Sequence, residues 1–174
     1  NLQNNKKDSA KKNQKAAAKK MKEMANEMGL DMGGGAQNQL EEDVQMLRQI
    51  LDNLIEFSFT QENLMTRFKT LKKGSPALSK NLKLQQDLKQ QFTHVDDSLF
   101  AMSLRNPKIA ENITKEIGNV HYNLDKSIEN LVESNFYKGI SHQQYTTTSA
   151  NKLADYLADV LTNLQSEMSM GSGK

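Results

Sequence analysis

The feature that most constrains this chain is a lack of backbone breakers across long stretches in which apolar residues recur at steps of three and four. In 174 residues there are 2 prolines and 9 glycines, three of the glycines standing together at Gly33, Gly34 and Gly35. Apolar residues at that spacing line one face of an α-helix, which can be buried only against another such face. Leu40, Val44, Leu47, Leu51 and Leu54 form one stripe, widened by Ile50, Ile55 and Phe57. Leu84, Leu88, Phe92, Val95, Leu99 and Met102 form a second, and Ile109, Ile113, Ile117, Val120, Leu124, Ile128 and Leu131 a third. A fourth runs through Tyr145, Leu153, Tyr156, Leu157, Val160, Leu161 and Leu164.

Local signals divide these stripes into helices. Ser58 followed by Gln61 has the spacing of a capping box, in which two side chains satisfy the free N–H groups of a helix start, so a bend and restart are expected there. Lys72-Lys73-Gly74 reads as an end, with cations favoured at a helix C-terminus. Ser75-Pro76 reads as the next start, and Asn106-Pro107 ends that helix and opens another, because the residue before proline disfavours helical geometry. The following helix is expected to run to about Phe136, with Gly139 closing the turn and Ser141-His142-Gln143-Gln144 acting as a second capping box. Gly118, inside that helix, reads as a close helix crossing. Connections of a few residues place successive helices antiparallel.

The expected fold is all-α, an antiparallel up-down bundle of about four long helices over residues 38–168, preceded by a basic, partly helical arm. Leu47, Leu51, Phe92, Leu99, Ile117, Leu124 and Leu157 are its candidate core. Residues 1–37 form the lysine-rich arm and a glycine hinge, and residues 169–174, ending Gly-Ser-Gly-Lys, read as a flexible linker. Both ends read as cut points in a longer chain. No run of about 18 apolar residues is present, so any membrane anchor would lie outside this window.

The formal net charge of +2 conceals an uneven distribution. Between Asn1 and Lys22 there are eight lysines and one acid, Asp8, whereas the remainder carries 15 basic and 20 acidic residues. Lys11, Lys12, Lys15, Lys19, Lys20 and Lys22 are therefore candidate anion-binding residues, toward lipid headgroups or nucleic-acid phosphates. The arm has no aromatic residue before Gly35 on which a base could stack, which disfavours nucleic acid. Met21, Met24, Met28 and Met32 recur at helical steps, a pattern suited to packing against a partner more than to copper.

Chemistry-bearing motifs are sparse. With no cysteine, disulfides, thiolate catalysis and Cys-based zinc sites are excluded. His94, Asp96 and Asp97 are the one place to seek a metal or acid–base pair, since a histidine three residues before a carboxylate shares a helix face with it. A metal needs three or four convergent ligands, and His121 and His142 lie on other predicted elements. No Glu-x-x-His occurs for a di-iron bundle, no glycine-flanked serine for nucleophilic catalysis, and no phosphate-binding glycine loop. The residues thus imply no catalytic, cofactor or metal site and no small-molecule substrate, with a metal-binding bundle at His94 and Asp97 as an alternative.

Particular segments are more specific than periodicity. Met46-Leu47-Arg48-Gln49-Ile50-Leu51-Asp52-Asn53-Leu54-Ile55, followed by Phe57-Ser58-Phe59-Thr60-Gln61-Glu62-Asn63-Leu64-Met65, resembles a recurring segment of an uncharacterised family of very large Bacteroidota envelope proteins. Residues 92–107, from Phe92 to Pro107, resemble the same family, and Asn151-Lys152-Leu153-Ala154-Asp155-Tyr156-Leu157-Ala158-Asp159-Val160-Leu161 is similar to its repeated Asn-x-Leu-Ala helix. The resemblance covers most of residues 38–174. It implies a parent with N-terminal membrane helices and a long helical, coiled-coil-prone region, and it carries no catalytic residues. The functional expectation is a non-catalytic scaffold in the cell envelope, periplasmic or alternatively cytoplasmic. It would bind protein partners or its own copies through helix faces, with an anionic membrane surface or nucleic acid at the arm as the alternative.

Overall fold

The computed structural model describes residues 34–173 together with Ala16, Lys19 and Lys20, apart from the side chains at 108, 110 and 111. The described residues are all-α: α1 spans Gly34–Thr70, α2 Ala77–Arg105, α3 Pro107–Val132 and α4 Phe136–Gly171. Among them there is no strand, and no helix is long and apolar enough to cross a membrane.

Residues 43–167 form one compact unit. Its core is a ladder of three- and four-residue steps from every helix: Leu54, Phe57, Leu64 and Phe68 on α1, and Leu88, Phe92, Val95, Leu99 and Met102 on α2. Ile109, Ile113, Val120, Leu124 and Leu131 continue it on α3, and Ala150, Leu153, Leu157 and Leu164 on α4. Phe57 and Phe92 pack with ring centroids 5.4 Å apart, and Arg105 reaches the largely buried Asp43 at 3.0 Å. Later residues of α1 therefore meet earlier residues of α2, so the two helices run in opposite directions. Lys89 with Asp125 and Asp96 with His121 impose the same relation on α2 and α3. Phe68 lies 6.1 Å from Phe136, ring centre to ring centre, placing the end of α1 beside the start of α4.

The turns follow from local chemistry. Ser75 Oγ accepts the Ala77 N–H at 3.3 Å, and Pro76 supplies a ready helical φ of −61° before α2. Gly74 sits at φ 78°, where a side chain would be strained, in a turn closed by the Ser75 N–H to the Lys72 carbonyl at 3.1 Å. One non-helical residue, Asn106 (φ −131°, ψ 87°), separates α2 from α3, as the following proline requires. Between α3 and α4 the Asn135 N–H bonds the Asn130 carbonyl at 2.8 Å and the Ser134 N–H bonds Leu131 at 3.1 Å, with Ser134 left-handed at φ 60°. That is a Schellman ending with serine where glycine is usual.

Several sequence expectations need correction. α1 does not restart at Ser58: both Ser58 and Gln61 are buried inside a continuous helix, because Gln61 turns inward to bond another glutamine. The turn after α3 is made at Ser134, not at Gly139, and Ser141 does not cap; its hydroxyl bonds the Tyr137 carbonyl one helical turn back at 3.0 Å. The two interior glycines exchange roles. Around Gly118 nothing lies within 4 Å of where a Cβ would stand, whereas at Gly139 a Cβ would meet Leu131 Cδ2 and Cγ at 2.6 Å. Leu51 and Ile117, placed in the core by periodicity, are half-buried, and Ile55 is 48% exposed.

The boundaries differ too. Gly34 and Gly35, read as hinge, are the first residues of α1, and residues 169–171, read as linker, belong to α4. Where these ends meet, Gln37 Oε1 lies 2.7 Å from the Cβ position of Gly171, so the absent side chain admits the contact.

Candidate functional site

The buried polar side chains mark the sites where sequence and packing conflict, and they concentrate in one layer. Gln61 of α1, Gln85 of α2 and Gln143 of α4 are each fully buried. All three occupy steps of the core ladder: Gln61 falls between Phe57 and Leu64, Gln85 precedes Leu88, and Gln143 precedes Thr146. Gln61 and Gln85 exchange a reciprocal pair of amide hydrogen bonds, Gln61 Nε2 to Gln85 Oε1 at 3.0 Å and Gln85 Nε2 to Gln61 Oε1 at 2.8 Å. Gln143 Nε2 donates to the same Gln85 Oε1 at 2.9 Å. Gln85 is thus the hub of a three-helix amide cluster. Gln143 Oε1 is buried with no hydrogen-bond partner among the described residues.

Such a cluster carries no proton chemistry, since amides do not titrate. Its physical effect is on register: sliding one helix by a step would bury several amide groups unpaired, each costing about 1 to 3 kcal/mol. The neighbouring polar residues of α4 do not add to the cluster through their hydroxyls. Thr146 and Thr147 return theirs to the His142 and Gln143 carbonyls at 2.9 and 3.2 Å, and Ser127 on α3 bonds the Leu124 carbonyl at 2.8 Å.

Two histidines tie α3 to its neighbours. His121 Nε2 lies 2.8 Å from Asp96 Oδ2, with its ring edge-on to Phe92 at a centroid distance of 4.9 Å. His142 Nδ1 lies 2.9 Å from Asn123 Oδ1. The Asn123 amide nitrogen is donated to the Asn119 carbonyl at 2.9 Å, which leaves its oxygen as acceptor and puts the ring proton on Nδ1. Tyr122 and Tyr145 stand edge-on to His142, each with centroids 6.2 Å away. Beside Tyr122, Lys126 bonds the Glu129 carboxylate at 2.8 Å, and this hydrogen bond and its charge hold the ammonium above the ordinary lysine range.

The proposed His94, Asp96 and Asp97 grouping is divided by the structure. Asp96 turns to His121, while His94 and Asp97 are exposed, and His94 lines a shallow cleft of about 180 Å³ with Glu56 and Gln91. Among the described residues no three His, Asp or Glu side chains are placed to hold a metal ion. The His121–Asp96 pair escaped the sequence reading because its members are 25 residues apart on different helices. Of the candidate anion-binding lysines, Lys19 and Lys20 are helical and exposed, and Lys11, Lys12, Lys15 and Lys22 lie outside the described residues, as do Met21, Met24, Met28 and Met32.

On the surface, large apolar side chains remain uncovered. Ile55 and Phe59 stand one helical turn apart on α1, 48% and 64% exposed, and line a cleft of about 240 Å³ with Ser58, Glu62 and Asn151. Phe100 and Leu104, 63% and 70% exposed, repeat that spacing on α2, and Phe100 borders a second cleft with Ile113 and Ile117 of α3. A wider cleft of about 430 Å³ lies between Asn106 and Ile109 on one side and Tyr156, Val160 and Leu164 on the other. No protein-family model, no curated protein and no solved structure matches the chain.

Proposed function

We propose that this region is a non-catalytic helical scaffold and interaction module of a larger bacterial cell-envelope protein, and that it binds other proteins or its own copies through its helix faces. The observation that carries this reading is the pairing of uncovered apolar residues at one-turn spacing, Ile55 with Phe59 and Phe100 with Leu104, each pair beside a shallow cleft. An amphipathic helix presents anchors at the same spacing and docks into such clefts. The placement in the envelope, on the periplasmic side of a membrane-anchored parent, rests on the resemblance of residues 46–65, 92–107 and 151–161 to the Bacteroidota family.

The test is site-specific photo-crosslinking from Glu62 and Ser103, which line the clefts beside Phe59 and Phe100, in the full-length parent within native membranes. Discrete crosslinked species that vanish in Phe59→Ser and Phe100→Ser are expected. Crosslinks no different from those at an exposed polar control such as Gln144 would overturn the reading.

The lysine-rich arm supports a second reading, binding to anionic surfaces or nucleic acid, since its eight lysines face a single acid. It requires binding that falls steeply with salt and disappears when residues 1–22 are removed.

A further inference from the structure

The charged residues of the bundle are distributed by level along its axis. Phe68 against Phe136 brings the α1–α2 turn and the α3–α4 turn to one end of the compact unit. That end carries Arg67, Lys69, Lys72, Lys73, Lys80 and Lys138, all exposed. The exposed acids among them are few. Glu62 lies more than one turn back on α1, Asp87 pairs with Lys83 at 3.5 Å, Glu129 pairs with Lys126 at 2.8 Å, and Glu133 accepts the Asn135 amide at 3.3 Å. Toward the other end the exposed acids are Asp97, Asp155, Asp159 and Glu167, while Asp43 and Asp96 are paired with Arg105 and His121.

Apolar residues are exposed at the basic end as well. Tyr137, the second residue of α4, is 87% exposed, and Val132, the last of α3, is 56% exposed. They flank the Ser134 turn, with Lys138 next in sequence to Tyr137 and with Lys72 and Lys73 in the turn that follows α1, four and five residues after Phe68.

We propose that this tip of the bundle docks on an anionic lipid surface. Lysines and an arginine around a protruding tyrosine and valine match the layered chemistry of a membrane interface. The cations meet lipid phosphates and carboxylates, while a tyrosine ring is stable at headgroup depth with its hydroxyl in water and its face against acyl chains. Exposed valine distinguishes this surface from a nucleic-acid platform, in which several aromatics would follow a strand and an aliphatic side chain would contribute nothing to stacking. The site uses none of the residues of the N-terminal arm, and the proposal does not depend on the helix-face reading.

The test uses the full chain in co-sedimentation with vesicles of phosphatidylcholine alone and of phosphatidylcholine mixed with phosphatidylserine. Three proteins are compared: the natural sequence; a tip variant with Lys72→Gln, Lys73→Gln and Lys138→Gln; and an arm variant with Lys11, Lys12, Lys15, Lys19, Lys20 and Lys22 all changed to Gln. Tyr137→Ser is measured separately. The expected result is binding to the mixed vesicles only, weakened by roughly tenfold or more in the tip variant and weakened again by Tyr137→Ser. Because the altered residues are exposed, circular dichroism melts of the variants should match that of the natural sequence, which separates lost docking from lost folding. Binding that the tip variant retains in full, whether or not the arm variant loses it, would overturn the proposal. So would a short duplex or single-stranded DNA that binds the full chain more tightly than the vesicles do and loses that binding in the tip variant.

Discussion

Replacing Gln85 by methionine should destabilise the bundle strongly, whereas the same change at Gln143 should be close to neutral, although both residues are fully buried. Gln85 is the partner of three buried atoms: Gln61 Nε2, Gln61 Oε1 and Gln143 Nε2. Methionine fills a similar volume but bonds none of them. At about 1 to 3 kcal/mol for each buried group left unpaired, the loss amounts to roughly 3 kcal/mol even at the lower figure. Gln143→Met removes one hydrogen bond, worth about 1 kcal/mol net, strands no atom of Gln61, and eliminates the buried Oε1 that has no partner among the described residues. Those two effects nearly cancel.

Changing all three glutamines to methionine should recover most of the stability lost in Gln85→Met, because no amide then remains to be desolvated. Urea unfolding followed by circular dichroism, with the transition slope checked for constancy, measures all three differences. Equal destabilisation by Gln85→Met and Gln143→Met would refute the reasoning, since it would mean that the hub and the peripheral amide carry the same load. A triple variant less stable than Gln85→Met would refute it independently.

Three further outcomes are expected from stability measurements on single variants. Gly118→Ala should raise stability by about 1 kcal/mol through helix propensity alone, while Gly139→Ala should lower it, because Leu131 must move away from a Cβ at 2.6 Å and overpacking costs about 1 to 3 kcal/mol. Ser134→Gly should stabilise by roughly 0.5 to 1 kcal/mol by relieving the left-handed backbone at φ 60°, and Ser134→Val should do the reverse; matching thermal melts would refute this assignment. Leu124→Ala should cost about 2 to 5 kcal/mol and Leu51→Ala clearly less, since Leu124 is fully buried and Leu51 half-buried; equal costs would contradict the core as described.

Much of the fold can be read from the sequence because the signals that define it are local. The stripes on α2 and α3, the Ser75-Pro76 start and the Asn106-Pro107 joint depend on residues within a turn or two of one another, where periodicity and proline sterics act. The errors arise where tertiary contact decides. Gly118 and Gly139 are the same residue in the same kind of helix, and only the position of Leu131 distinguishes them. Ser134 ends α3 against its own preference, because the chain must turn there for Phe136 to reach Phe68.

The amide cluster was hidden for a related reason. Gln61 sits at capping-box spacing from Ser58, and Gln85 stands beside Leu84, which the apolar count favours. Stepping backward from Phe92 by four and then three arrives at Leu88 and Gln85, and a further four reaches the buried Asn81. A ladder followed by position instead of by residue type would have found the layer on α2. The pairings of Asp96 with His121 and of Asn123 with His142 have no local trace, since each joins separate helices.

The single-residue joint at Asn106 has a mechanical consequence. Chain length holds the last turn of α2 against the first turn of α3, while further along the seam the two helices are joined through side chains, with Asp96 beside His121 and Lys89 beside Asp125. Force that pulls the start of α2 away from the end of α3 would therefore open the seam one layer at a time, as in unzipping, instead of shearing the whole interface at once. A pair hinged in this way yields under small forces and re-closes when they relax, because the joint keeps the two faces in register.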